Sequence, residues 1–166
     1  IVSSGPVARI RRNHGLEHAT LHILAEQMVN KPLAGHSDLG GFWIIGDVST
    51  EVLRSAIDEA LSRMQAGEEE LAVHPNCGTN FVTAGTLAGA AAMAALFGAG
   101  RRTRDKLERL PLAASLATFG LMLAQPAGSF LQKHVTTSGI PGSLEVVAVT
   151  PTRRGRFQAH RVETRG

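Results

Sequence analysis

The chain has 166 residues, 43% of them hydrophobic and 19% charged, with a formal net charge of +3. That length holds one ordinary domain and is too short for two with full cores. A lone cysteine, Cys77, excludes an internal disulfide framework, and one Trp with no Tyr gives nucleic-acid binding no aromatic platform.

Charge is unevenly placed along the chain. Residues 1–80 carry six Lys/Arg against ten Asp/Glu, residues 101–109 five against two, and residues 133–166 six against two. Residues 79–100 and 110–132 contain no charged side chain at all. At 1.5 Å of rise per helical residue, each of these runs is long enough to cross the hydrocarbon core of a bilayer. Residues 1–7 lack the charged-then-apolar layout of a signal peptide.

The first predicted element is a helix over about 7–28. Pro6 suits its start, Ile10, Leu16, Leu21, Leu24 and Met28 recur near helical spacing, and Asn30-Lys31-Pro32 ends it. A polar loop with Gly35, Asp38, Gly40 and Gly41 leads to a strand at 42–48. Ser49 or Thr50 then caps a second helix through about Ala66, whose stripe is Val52, Ala56, Ile57, Ala60, Leu61 and Met64. Gly67 stops it, and residues 70–74 read as a short second strand.

The two apolar arms follow. The first contains Gly85 and Gly89, a GxxxG spacing that lets two helix backbones approach closely and offers a face to a membrane-protein partner. The second runs between Pro111 and Pro126. Arg101, Arg102, Arg104 and Lys106 lie in the loop between the arms, where they suit contact with anionic lipid. Two strands at 144–150 and 156–162, joined by a turn at 151–155, complete the chain. The pattern predicts an α+β fold. Residues 1–80 form a helix/sheet part, residues 81–132 a two-helix transmembrane hairpin, and residues 133–166 a β-hairpin completing the first part. A buried helical hairpin in a soluble protein is the alternative, but so small a domain could hardly surround two charge-free helices on every side.

The sharpest chemical feature lies in the first helix. His14-Gly15-Leu16-Glu17-His18 is an H-x-x-E-H sequence. On a helix His14 and His18 stand one turn apart on one face, so both imidazoles can ligate one ion, while Glu17 beside them can take a proton from an attacking water. His22 extends the stripe by another turn. A second cluster, His74-Pro75-Asn76-Cys77, places an imidazole and a thiol three residues apart, and either could complete a tetrahedral site. Asp38, Asp47 and His36 are weaker ligand candidates. The alternative is structural: histidines that hydrogen-bond buried polar groups, and a Cys77 that merely packs in a turn.

The H-x-x-E-H stretch resembles the inverzincin metallopeptidases. That resemblance implies zinc bound by His14 and His18, Glu17 as general base, and a third ligand, a Glu, from a later helix, where Glu51 and Glu59 occur. The whole chain resembles a family of uncharacterised bacterial membrane proteins. In that family an NHxLEHATxH-type helix, a GFW strand and an HPNCGT segment precede two apolar helices, which implies the bacterial inner membrane. Basic residues favour the cytoplasmic side, so the 101–109 loop would lie there and the His-bearing part would face outward.

Three functions therefore stand open. The first is a membrane-anchored zinc hydrolase of peptidase type. The second is a non-catalytic subunit of a larger complex whose histidines hold a structural metal or cofactor, or the helix itself. The third is a thiol enzyme centred on Cys77 beside His74.

Overall fold

A computed structural model describes residues 5–28, 31–100 and 102–166. The expectations for Asn30 and Arg101 lie outside the described residues. The chain is α+β and divides into two compact units, residues 1–74 with 132–166, and residues 75–131.

The first unit is two-layered. Helix α1 (Gly5–Gln27) and helix α2 (Thr50–Gln65) pack on one face of a four-stranded antiparallel sheet. Its strands are β1 (Ala34–Asp38), β2 (Gly41–Ile45), β3 (Glu145–Arg154) and β4 (Phe157–Arg165), in the order β1-β2-β4-β3. Register puts Phe42 opposite Val162 and Val162 opposite Val149, so the three line one row of the helix-facing side. They close a core with Leu16, Ile23 and Leu24 of α1 and Leu53, Ile57 and Met64 of α2. Alternation sends Trp43, Ile45, Arg161 and Phe157 to the other face, which no helix of this unit covers.

Helix α2 starts where Ser49 caps it, the hydroxyl accepting from the Val52 amide at 3.3 Å. Its stripe is turned slightly from the expected one: Leu53 is fully buried and Val52 is exposed.

Two local readings change. The 34–38 stretch is strand β1, because Gly35 leaves room for the Glu17 side chain and the strand gains a full antiparallel register with β2. The predicted strand at 70–74 is instead a short 3₁₀ turn, Glu69–Ala72. Three consecutive glutamates, Glu68-Glu69-Glu70, suit an exposed turn better than a pleated edge.

The second unit is a helical hairpin of α3 (Gly78–Leu96) and α5 (Leu110–Leu131), joined through the short α4 (Thr103–Leu107). Gly120 sits where a Cβ would come within 2.9 Å of the Leu87 carbonyl, and Gly128 where it would overlap the Asn80 side chain. The close backbone approach therefore uses α5 glycines. Gly85 and Gly89 face open space. The hydroxyls of Thr83, Ser115 and Thr118 each donate to the carbonyl four residues earlier, at 2.7 to 2.9 Å, which satisfies them within their own helix.

Two helical runs, Gly78–Leu96 and Thr103–Thr136, are long and apolar enough to cross a membrane. Large side chains of both point outward: Met93 is 74% exposed, Met122 69% and Phe130 63%.

Candidate metal centre

The site grows from the middle of α1. Helical spacing puts His14, His18 and His22 on successive turns, and His74 comes to the same stripe from the end of the 3₁₀ segment. The rings form a row: His14 to His18 is 4.4 Å between centroids, His18 to His74 5.5 Å, and His74 to His22 4.8 Å.

Backbone carbonyls set the tautomers. His14 Nδ1–H donates to the Thr136 carbonyl at 3.1 Å, and His18 Nδ1–H to the Ala72 carbonyl at 2.8 Å. A carbonyl can only accept, so in the neutral ring the basic lone pair belongs to Nε2 in both. His22 is turned the other way, its Nε2–H donating to the Val73 carbonyl at 2.9 Å. Burial, together with the neighbouring His22 and His18, pushes the His74 pKa down to about 4, so this imidazole is neutral at pH 7.

Three features hold the row that sequence reasoning did not single out. The Gln132 side-chain amide clamps the His74 backbone, accepting from its N–H at 2.9 Å and donating to its carbonyl at 3.1 Å. Gln132 opens a single π-helical turn, Gln132–Thr136, which also supplies the carbonyl that orients His14. Gly15, inside the H-x-x-E-H stretch, lets the Ser138 carbonyl approach, since a Cβ there would overlap it. The sequence signal for all three was slight: a lone Gln closing an apolar run, and a Gly in a helix where Ala would serve better.

Glu17 is buried and faces β1. Ser37 donates a short hydrogen bond to its Oε2, and its carboxylate fills the space left by Gly35. Burial raises the Glu17 pKa, with the Ser37 hydrogen bond and the charge of His14 pulling it partly back. Burial therefore favours the protonated form of this carboxyl.

The other candidates have surroundings of their own. Cys77 belongs to the helical hairpin, where it is the N-cap of α3 and its Sγ accepts from the Thr79 amide at 3.5 Å. Asp38 forms a two-point ion pair with Arg161 at 2.7 and 2.8 Å, and Arg161 holds its carboxyl below the usual range. Asp47 pairs with Lys31 at 3.3 Å, and His36 lies opposite Trp43 on the outer sheet face. Glu59 pairs with Arg63 at 3.7 Å, and Glu51 is exposed in the first turn of α2.

The chain belongs to the family described as a domain of unknown function, DUF6391, whose model matches residues 9–149. An uncharacterized protein of the cyanobacterium Picosynechococcus sp. is 33% identical over 143 residues, a match covering 78% of this chain and 66% of that protein's length. No solved structure matches the chain.

Proposed function

We propose that the chain is an integral protein of a bacterial inner membrane whose α+β unit binds zinc and acts as a peptidase-like hydrolase. The observation that carries the metal reading is the pair of oriented imidazoles. His14 and His18 each give their Nδ1 proton to a backbone carbonyl, and their rings stand 4.4 Å apart. Metal-bound histidines are commonly fixed by this kind of outer hydrogen bond, which settles the tautomer and raises the basicity of the other nitrogen. His74, whose ring stands 5.5 Å from that of His18, or Cys77, three residues further along the chain, is the third ligand.

A zinc ion held there supplies Lewis acidity toward water and a substrate carbonyl. Glu17 accepts the proton, its carboxyl poised by burial. The exposed apolar surface of the hairpin supports insertion. Arg102, Arg104 and Lys106 then meet anionic headgroups, and the open Gly85/Gly89 face is left for another membrane protein.

One observation favours the non-catalytic reading. The Glu17 carboxylate is already hydrogen-bonded to Ser37 and packed against β1. On that reading the histidine row carries a structural ion, and the chain is a membrane subunit of a larger complex. Metal analysis of detergent-purified protein separates the readings from the bare alternative. About one zinc per chain, lost in a His14→Ala, His18→Ala double variant, supports the site. Peptide hydrolysis lost in Glu17→Gln with zinc retained supports the hydrolase, and zinc without hydrolysis supports the subunit. No metal in either sample, with the fold unchanged, overturns the hydrolase and leaves a membrane subunit whose histidines are purely structural.

A further inference from the structure

At one corner of the sheet lies a hollow of about 530 Å³. Leu33, Ala34, Ile45 and Phe157 form its apolar wall, and Lys31 and Asp47 stand at its rim. Gly46 shapes it: its φ of +140° and missing Cβ let the Pro32–Leu33 backbone close in, where a side chain would come within 2.8 Å of the Pro32 carbonyl.

The same corner is basic. The β3–β4 turn reads Arg153-Arg154-Gly155-Arg156, and no acidic residue occurs between Val146 and Val162. Arg154 is the cross-strand partner of Phe157 and lies 4.7 Å over the Trp43 ring, while Arg156 lies 5.1 Å over the Phe157 ring itself. Lys31 is paired with Asp47 at the hollow itself, and Arg154 and Arg156, which do not line it, add two positive charges beside its Phe157 wall. An apolar hollow sharing a wall residue with two arginines matches a ligand with an apolar tail and an anionic head.

We infer that this corner binds one molecule of an anionic phospholipid, its phosphate on Arg154 and Arg156 and one acyl chain in the hollow beside Phe157. The site is independent of the histidine row and of any hydrolytic activity. It differs too from the basic segment between the apolar helices, which belongs to the other unit.

Native mass spectrometry of the detergent-purified full chain, titrated with dioleoyl phosphatidylglycerol or dioleoyl phosphatidylcholine, tests it. The expected result is one tightly held phosphatidylglycerol per chain and about tenfold weaker phosphatidylcholine. Emission from Trp43, the single Trp, should change in step with the first lipid. An Arg154→Gln, Arg156→Gln variant should lose about tenfold in affinity. Ala34→Phe, at an exposed position that fills the hollow, should lose the acyl contribution with both arginines intact. Equal binding of the two lipids, unchanged phosphatidylglycerol binding in both variants, or full reproduction of the Trp43 response by inorganic phosphate alone would overturn the assignment.

Discussion

His14 and His18 reach their orientation through carbonyls that belong to distant parts of the chain, Thr136 and Ala72. The spacing that put them on one helical face was readable in the sequence. Their tautomers were not, because those depend on a π-turn and a 3₁₀ turn whose register only the fold decides. Glu17 illustrates the tension in such a site. Its buried carboxyl has a raised pKa, so the charged form is a cost at pH 7. Glu17→Gln is therefore expected to melt at the same temperature or higher in differential scanning fluorimetry, while any hydrolysis falls at least about a hundredfold. The pH dependence of His74 and His160 has its own sign. Both pKa values lie below the ordinary 6.5, His74 near 4 by burial beside His22 and His18, and His160 by burial. Their neutral forms are favoured by folding, so that contribution is complete above pH 6.5 and drains away as pH falls toward 4. Melting temperatures of metal-stripped protein should drop through that window, and a flat profile would contradict the burial of these rings.

Among the elements, α1, α2, the β3–β4 hairpin and the two apolar helices could be read from periodicity and charge. Strand β1 and the 3₁₀ turn could not. A five-residue strand containing Gly35, His36, Ser37 and Asp38 has almost no β-propensity of its own, and it forms because β2 supplies a ladder and Glu17 fills the gap over Gly35. Glycines divide similarly. Gly85 and Gly89 carry the familiar spacing, yet Gly120 makes the tight approach to the α3 backbone at Leu87. Gly120→Val should disrupt the α3–α5 pairing, seen as lost protection of α3 amides in hydrogen exchange. Gly85→Val should leave that protection intact and reduce only association between chains or with a partner. Gly15→Ala adds a methyl onto the Ser138 carbonyl and should cost about 1–3 kcal/mol, and any zinc affinity should fall alongside as the Thr136 carbonyl shifts.

For the molecule as a whole, two long helices with outward apolar side chains are the dominant physical fact. A protein reading as membrane-integral should stay with the pellet on alkaline extraction. Leu121→Arg, which puts a charge at an exposed mid-helix position, should shift a substantial fraction to the soluble phase or to degradation. The strand order carries a further consequence for biosynthesis. The strand that lies between β2 and β3 is the last to be made, and both apolar helices are synthesised before it. Until residues 157–165 leave the ribosome, β2 has an open edge and the histidine helix rests on an unfinished sheet. If the hairpin inserts in a membrane as proposed, it is made before the strand that closes the sheet, so a released chain truncated before residue 157 should carry an inserted hairpin attached to a protease-sensitive, unfolded head.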